Sequence, residues 1–455
     1  MKNILRAEID EIIKNALSGG GQFAEIYFQE SDATGISYIG GKVESASSGT
    51  GTGCGIRLIK DDNTFYASQS CPTVKTMIEL SKEIAGAPSA CGAAPSQNPV
   101  RLSGFSPVPE LDIYIKKMEE LDAFFRKQSG RIRQVSFRIS TGRTNFFVAN
   151  SDGVYAADSR FSSIFVASFA VTDGSITQSS HEVAVAGPLS GITPEKISDI
   201  AATAYKRASD LLDIAVPAPA GEMAVVISSS AGGTMIHEAI GHSLEADAVQ
   251  KDISPVYKGR LGKKVAADII TVVDDPTISG LRGSYKFDDE GTPSQRTILV
   301  ENGVLKNYLY DLYTARKDGV KSTGNGRRES YQAKPIPRMS NTFIAPGADD
   351  PEKILASVSK GVFVKKMGGG QVNTANGDFI FEVEEGYEIT GGKPGRMLRN
   401  ASLIGNGPEI LNSIDMVGND IGWQPGTCGK DGQGVPVTDG QPTLRIPKIT
   451  VGGTG

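Results

Sequence analysis

The most informative segment of the chain, residues 236–242, is Ile-His-Glu-Ala-Ile-Gly-His and contains two of the three histidines among 455 residues. Two imidazoles beside a carboxylate are the groups from which catalytic zinc sites are built. In a regular α-helix, residues five positions apart lie about 140° apart around the axis, which is too far to share one metal ion. The backbone between His237 and His242 must therefore bend, and Gly241 accepts a π-type widening at little steric cost.

Two histidines need a further ligand, because a catalytic zinc ion takes three protein ligands and leaves one position for water. The candidates are Glu245, Asp247 and Cys428, ahead of His181, which lies in a strand pattern of the other domain. Cys428 has a glycine-rich setting, Gly-Thr-Cys-Gly-Lys over residues 426–430, and the lysine favours the thiolate that binds metal. The residues alone leave the choice of third ligand open.

Glu238 follows His237 directly, and a metal site would give its carboxylate a chemical role. Zinc lowers the pKa of a bound water to about 7, and a nearby carboxylate can take the proton. A carboxylate in the first turn of a helix also serves as a capping group. The segment by itself is compatible with both roles.

Length and composition indicate a soluble protein with more than one domain, because 455 residues exceed the size at which one hydrophobic core keeps growing. The net charge of −5 and the lack of a dense Lys/Arg block disfavour nucleic acid and anionic membranes as partners. No stretch approaches the ~20 apolar residues that span a bilayer. The N-terminus runs into a charged amphipathic helix, so we expect a cytoplasmic protein.

A segment rich in proline and small residues, 215–221, marks the clearest domain boundary. It predicts an N-terminal domain of residues 1–215 and a C-terminal domain of residues 222–455. The first alternates helical and strand patterns, with a strand meander over residues 131–188, and is predicted to be α+β with an antiparallel sheet. The second is predicted to be strand-dominated, a curved sheet or barrel that carries the histidine helix at about residues 234–249.

The four cysteines form no CxxC pair, which in a large cytosolic protein argues against disulfides. Cys54, Cys71 and Cys91 are predicted to be buried small hydrophobes. Cys428 differs from them because of its glycine-rich flanks.

Four blocks of sequence resemble the TldD/PmbA family, specifically its TldD branch. Residues 237–245 resemble the HExxxH helix of that family, and residues 326–331 followed by 337–342 resemble its next signature. Residues 426–433, with 440–444 and 450–454, are similar to its closing block. The resemblance covers nearly the whole chain, and the blocks occur in the family's order.

The resemblance implies a zinc-dependent peptidase that hydrolyses flexible or unfolded peptides with a zinc-bound water. The ligands of Zn²⁺ would be His237, His242 and Cys428, and the base that activates the water would be Glu238. The PmbA (TldE) branch lacks the metal motif, so the chain belongs on the catalytic side. The partner implied is a PmbA/TldE-type paralogue in a heterodimer, with a homodimer as the alternative. The older family label, modulator of DNA gyrase, implies a binding role that the acidic composition does not support.

Two polar segments of the second domain are further candidates for contact with a peptide. Arg327 and Arg328 could stabilise the tetrahedral oxyanion or bind a peptide carboxylate, and Tyr331 could donate a hydrogen bond to that oxyanion. The alternative is a solvated pair of arginines beside a turn. We interpret the acidic run at residues 288–290 as a solvated loop, in preference to a site for a peptide amino terminus.

Two other functions stay open on the sequence alone. One is a site similar to that of dipeptidyl-peptidase III, whose motif is His-Glu-x-x-Gly-His and whose third ligand is a downstream glutamate. The other is a non-catalytic regulator or adaptor of the same fold that binds peptides or proteins without cleaving them.

Overall fold

Long antiparallel strands dominate the N-terminal part of the computed structural model, which describes residues 4–86, 111–373 and 375–453. The helices are α1 (Arg6–Leu17), α2 (Val74–Ala85), α3 (Leu111–Gln128), α4 (Pro194–Asp213), α5 (Thr234–Ile236), α6 (Ala246–Gln250), α7 (Leu312–Asp318), α8 (Pro351–Ala356) and α9 (Gly407–Ser413). No helix in these ranges is long and apolar enough to cross a membrane.

The strands, numbered in chain order, are β1 (Phe23–Ile39), β2 (Lys42–Lys60), β3 (Asn63–Ser70), β4 (Ile132–Asn150), β5 (Tyr155–Thr172), β6 (Thr177–Ala186), β7 (Val216–Pro217), β8 (Gly221–Ile227), β9 (Val272–Asp274), β10 (Thr297–Glu301), β11 (Val304–Leu305), β12 (Gly326–Arg327), β13 (Ile336–Pro337), β14 (Asn341–Ile344), β15 (Lys360–Val372), β16 (Asp378–Thr390), β17 (Lys393–Arg399), β18 (Ala401–Asn406), β19 (Met416–Val417), β20 (Gly422–Lys430), β21 (Gln433–Gln441) and β22 (Leu444–Gly452).

The N-terminal sheet has six antiparallel strands in the order β3-β2-β1-β4-β5-β6. Side chains alternate between its two faces, as the period of two requires. On β1, Ile26 and Phe28 pack in one core with α1 and α2, while Tyr27 on the opposite face packs against Tyr331 of the C-terminal domain. Helices α3 and α4 pack over β4, β5 and β6. The predicted α+β fold is confirmed.

Five strands of the C-terminal domain close into a barrel in the order β15-β8-β22-β18-β16, with β16 pairing back to β15. Apolar residues from these strands, among them Val225, Val364 and Phe381, are buried in its core. Closure leaves no unpaired edge within the ring. The predicted strand-dominated domain is confirmed in its barrel form.

A second sheet, β11-β10-β9-β14-β21-β20, lies beside the barrel, and β20 is at its edge. Strands β14 and β21 pair in parallel, while the other pairs of this sheet are antiparallel. The histidine-bearing turn at residues 237–241 contacts β14 of this sheet and β15 and β16 of the barrel. The histidines therefore lie between the two strand layers.

The acidic run at residues 288–290 is buried, so its interpretation as a solvated loop is wrong. Asp288 accepts main-chain hydrogen bonds, including one from Gly326 at 2.9 Å, and Asp289 pairs with Arg160 at 2.6 Å. Glu290 pairs with Arg57 of the N-terminal sheet at 2.6 Å. Most of these partners are distant in sequence, and burial still outweighs them for Asp288 and Glu290, whose pKa values are raised.

The cysteine predictions have different outcomes. Cys54 is fully buried in the core under α1 and α2, as predicted. Cys71 is exposed, so its predicted burial is wrong, because it follows β3 at the edge of the sheet with a left-handed φ of 49°. Cys91 lies outside the described residues.

Candidate metal centre

A π-helical turn at His237–Gly241 brings the two histidines together. The N–H of His242 donates to the carbonyl oxygen of His237, which is the i→i+5 hydrogen bond of a π-helix. The rings lie with their centroids 5.0 Å apart and their planes at 87°. The predicted widening is confirmed, and the helix expected over residues 234–249 is interrupted by this turn and a 3₁₀ turn at His242–Leu244.

Gly241 is required here for a reason other than backbone freedom. Its φ of −54° is ordinary for a right-handed helix. A Cβ atom at this position would lie 2.1 Å from Sδ of the fully buried Met339. The glycine therefore allows the turn to approach Met339 closely.

Cys428 reaches the histidines from β20, and its Sγ atom lies 3.4 Å from Nε2 of His242. One potential ligand atom from each of His237, His242 and Cys428 lies within 4.8 Å of the others. A tetrahedral zinc ion with ordinary Zn–N and Zn–S bonds separates its nitrogen and sulfur ligands by about 3.6 Å. The donor set and its spacing thus fit zinc.

Two carboxylates orient the imidazoles. Asp439 Oδ1 lies 2.7 Å from Nδ1 of His237, and Glu245 Oε2 lies 3.0 Å from Nδ1 of His242. Such contacts fix which ring nitrogen is free to bind a metal. Glu245, a sequence candidate for the third ligand, therefore supports His242. Asp439 has no signal in the sequence, because 202 residues separate it from His237.

Electrostatics in the centre favour the thiolate of Cys428. Burial raises the pKa of this thiol, but the hydrogen bonds from His237 and His242 outweigh burial and lower the pKa to about 6. Burial also raises the pKa of Glu245, while Lys430 and His242 lower it to about 2. The centre therefore presents a thiolate, the form in which cysteine binds metals.

Glu238 lies beside the ligands in a cleft of about 360 Å³. Its side chain is half-buried and makes no hydrogen bond or ion pair with the residues that the structure describes. The cleft is lined by His237, Glu238, His242, Glu245, Asp247, Ala248, Lys251, Ile253, Val372, Thr427, Cys428, Gly429, Lys430 and Asp431. A carboxylate without partners in a cleft is available to accept a proton.

Asp247 and His181, the other candidates for the third ligand, contact residues outside the group of His237, His242 and Cys428. Asp247 accepts a hydrogen bond from Lys430 at 2.6 Å, which ties β20 to α6. His181 lies on β6 of the N-terminal sheet, half exposed, with its Nδ1 3.6 Å from Glu384. Neither belongs to the metal-binding group found among the described residues.

Arg327, Arg328 and Tyr331 do not line the metal cleft. All three are buried, so the alternative of a solvated arginine pair is wrong. Arg328 forms an ion pair with Glu25 of β1, and the hydroxyl of Tyr331 shares a hydrogen bond of 2.8 Å with Ser70 of β3. These contacts dock the segment onto the N-terminal sheet, and its role in binding substrate stays a prediction.

Profiles of one protein family match most of the chain. The PmbA/TldA metallopeptidase domain 1 matches residues 24–85, the central domain matches residues 106–212, and the C-terminal domain matches residues 220–453. Among solved structures, one similar protein is a candidate modulator of a DNA gyrase from Thermotoga maritima. Its TM-score is 0.77 at 23% identity, over 98% of this chain and 99% of that one. TldE from Thermococcus kodakarensis is similar with a TM-score of 0.72 and 19% identity, covering 98% of this chain and 99% of its own.

Relatives of similar length have names that state an activity. The metalloprotease TldD homolog of Haemophilus influenzae is 34% identical, over 95% of this chain and 93% of its own. A metalloprotease of Methanothermobacter thermautotrophicus is 32% identical, over 95% of this chain and 96% of its own. The zinc metalloprotease TldD homolog of Saccharolobus solfataricus is 33% identical, over 56% of this chain and 57% of its own. By profile and by sequence, the chain belongs to the PmbA/TldD metallopeptidase family.

Proposed function

We propose that the protein is a zinc-dependent peptidase with His237, His242 and Cys428 as ligands and Glu238 as general base. The observation that carries the proposal is the convergence of two imidazoles and a thiolate, within 4.8 Å of one another, beside a carboxylate without partners. When bound, zinc lowers the pKa of a coordinated water to about 7 and polarises the carbonyl under attack. We place the protein in the cytoplasm, where the Cys428 thiol stays reduced.

Glu238 would move the proton during hydrolysis. Its carboxylate takes a proton from the attacking water and returns it to the amine nitrogen that leaves when the peptide bond breaks. The neighbouring Glu245 is unsuited to this task, because it is fully buried and holds both His242 and Lys430. Asp439 is likewise engaged with His237. Among these three carboxylates, Glu238 alone is available to the cleft.

The proposed substrates are flexible or unfolded peptides. The histidine and cysteine side chains are largely buried, and Glu238 is half-buried at the wall of a cleft of about 360 Å³. A bond within a packed helix or sheet cannot reach such a recessed site, whereas an extended segment can. The proposed partner is a PmbA/TldE-type paralogue in a heterodimer, with a second copy of this chain as the alternative. Coexpression with a paralogue, followed by determination of mass in solution, tests this choice.

A combined metal and activity assay tests the proposal. Wild-type protein, Glu238→Gln and Cys428→Ala are compared for zinc content and for cleavage of an unstructured peptide. We expect Glu238→Gln to retain one zinc per chain and to lose about 10²-fold or more in rate, because the general base is removed. We expect Cys428→Ala to lose stoichiometric zinc. Cys71→Ala, which changes an exposed cysteine, is the matched control and should equal wild type.

Each other outcome favours a specific alternative. Cleavage by Glu238→Gln at the wild-type rate would exclude Glu238 as the base. Full zinc content and activity in Cys428→Ala would indicate a glutamate as third ligand, as in dipeptidyl-peptidase III. Zinc-loaded wild-type protein that binds peptides and cleaves none would indicate a non-catalytic regulator.

A further inference from the structure

A second cavity, of about 290 Å³, lies between the N-terminal sheet and the C-terminal domain. Strands β1, β4 and β5 contribute one side, and residues 280–285 and 327–329 contribute most of the other. The candidate zinc ligands and Glu238 do not line it. This cavity is therefore distinct from the metal cleft.

The cavity has an excess of positive charge. Its lining includes five arginines and three acidic residues, namely Arg143, Arg160, Arg282, Arg327 and Arg328 with Asp32, Asp289 and Glu329. Three of the arginines are neutralised, by pairs of Arg143 with Asp32, Arg160 with Asp289 and Arg328 with Glu25. Within the described ranges, Arg282 and Arg327 have no carboxylate partner. Arg282 and Arg327 are thus the arginines of this lining without an ion pair, and Glu329 is its acidic residue without one among the described residues.

Arg282 is held in place by neutral acceptors. Its Nη1 atom donates to Ser162 Oγ at 2.6 Å, and its Nε atom donates to the carbonyl oxygen of Gly426 at 3.1 Å. Its Nη2 atom makes a longer contact of 3.4 Å with Thr427 Oγ1. Arg282 is partly exposed and lines the cavity.

Arg327 adds a second, buried positive charge near Arg282. It is 3% exposed, and its two Nη atoms donate to the carbonyl oxygens of Met339 and Pro436. Its Nε atom is buried without a hydrogen-bond partner among the residues described. Burial lowers the pKa of Arg327, and burial together with the nearby Arg327 lowers the pKa of Arg282. A bound anion would relieve this repulsion between the two guanidinium groups.

Arg282 contacts the strand that carries Cys428. Thr427, which Arg282 contacts, lines the metal cleft and directly precedes Cys428 on β20. An extended peptide advances about 3.3 Å per residue. The side chains of Thr427 and Cys428 lie on opposite faces of β20, so a peptide end held at Arg282 would have to pass around this edge strand to bring one of its last peptide bonds to the metal centre.

We propose that Arg282, supported by Arg327, binds the C-terminal carboxylate of the peptide substrate and directs hydrolysis to bonds near that end. The planar guanidinium matches a carboxylate in shape and charge, and the long contact with Thr427 is the one that the carboxylate replaces. The proposal rests on the peptidase function proposed above. It deepens that function by assigning which end of the substrate the protein recognises.

Binding measurements without cleavage test this site. The zinc-loaded Glu238→Gln protein is titrated with a fluorescent, unstructured peptide that ends in a free carboxylate, and with the same peptide ending in an amide. We expect the acid to bind at least about tenfold more tightly, because a charge-assisted hydrogen bond is lost in the amide. Adding Arg282→Gln should abolish this difference, and adding Arg282→Lys should retain part of it. Circular dichroism and zinc content confirm that each variant is folded.

The matched control is Arg143→Gln, which removes one positive charge from the same cavity but from a neutralised pair. It should retain the preference for the acid. Equal affinities for acid and amide peptides in the Glu238→Gln protein would overturn the proposal. So would binding of inorganic phosphate that depends on Arg282 without any difference between the peptides, because the cavity would then hold a small free anion. If the acid preference holds but wild-type protein cleaves no peptide, the peptidase function fails and the carboxylate site stands.

Discussion

Asp439 and Glu245 each accept a hydrogen bond from Nδ1 of a candidate ligand, at 2.7 Å on His237 and 3.0 Å on His242. With Nδ1 so engaged, the Nε2 atoms are free to face Cys428, and the contact from His242 at 3.4 Å shows this orientation. Carboxylates in this position also increase the basicity of the imidazole as a ligand. At the scale of single residues, the strength of metal binding thus depends on more than the ligands.

Removal of the Asp439 carboxylate should weaken zinc binding. We expect Asp439→Ala to lower zinc affinity about 10- to 100-fold, because His237 loses the group that fixes its ring. Competition with a chromophoric chelator measures the affinity. Asp415→Ala, which breaks the ion pair with Arg445 away from the metal cleft, is the control. An unchanged zinc affinity in Asp439→Ala would contradict a supporting role.

The candidate ligands are easier to recognise in the sequence than the residues that support them. Cys428 was recognisable because its glycine-rich flanks and Lys430 distinguish it from a core cysteine, and the family resemblance then ranked it above the acids. Glu245 is recognisable as an acid near His242. Its role as a partner of the imidazole and not of the metal depends also on its ion pair with Lys430 of β20. Asp439 cannot be found from the sequence, because no spacing rule connects a helical turn to a strand that follows it by 202 residues.

The histidine helix shows what an element requires beyond its own sequence. The spacing of five residues between His237 and His242 predicts a widened helical turn, and the structure has a π-helical turn at His237–Gly241. The role of Gly241 was not predictable, because it depends on contact with Met339, a residue 98 positions later that the fold packs against the turn. Similarly, the parallel pairing of β14 with β21 joins segments about a hundred residues apart, which local strand patterns do not reveal.

Substitution of Gly241 by alanine tests this close approach. We expect Gly241→Ala to lower the free energy of unfolding by about 1–3 kcal/mol, because the new methyl group overlaps Met339 in a filled core. Urea denaturation measures the change. The double variant Gly241→Ala with Met339→Ala should show favourable coupling, since the overlapping side chain is gone. Gly130→Ala, where nothing lies within 4 Å, is the control. Additive effects in the double variant would exclude the steric explanation.

At the scale of the whole molecule, a group of charges joins the N-terminal domain to the barrel. Arg207 of α4 donates to Glu385 of β16 at 2.7 Å and to Glu182 of β6 at 2.8 Å. Lys366 of β15 also contacts Glu182, at 3.1 Å. The ionisable groups that face one another here are His181, Glu182, Arg207, Lys365, Lys366, Glu384 and Glu385. Arg207 is central to this group and only 9% exposed.

Loss of Arg207 should destabilise the protein in a pH-dependent way. We expect Arg207→Ala to cost about 3 kcal/mol at neutral pH, because the largely buried carboxylates lose the partner that they share and keep only a lysine each. Burial raises the pKa of Glu182 and of Glu385, but Lys366 and Arg207 outweigh burial for Glu182, and Arg207 does so for Glu385, so both pKa values are lowered. Lowered carboxyl pKa values stabilise the fold above about pH 4.3 and lose that contribution as the pH falls through them.

The cost of Arg207→Ala should therefore shrink below about pH 4, where the glutamates are protonated. Denaturation of wild type and variant over a pH series measures this cost. Arg396→Ala, which breaks an exposed pair with Glu388, is the control and should cost under about 1 kcal/mol. A cost of Arg207→Ala that is constant with pH would show that the arginine acts through packing and not through charge.

The separation of the metal ligands along the chain has a consequence for protein synthesis. The ribosome adds about 5–20 residues per second, so the 186 residues between His242 and Cys428 correspond to a delay of about 10–40 s. The barrel is also incomplete until β22, which follows Cys428, has been translated, because β22 joins β8 to β18. A nascent chain thus carries both histidines without the thiolate. With the proposed ligand set, the ribosome-bound protein is inactive and cannot cleave neighbouring unfolded polypeptides until β20 and β22 have been translated.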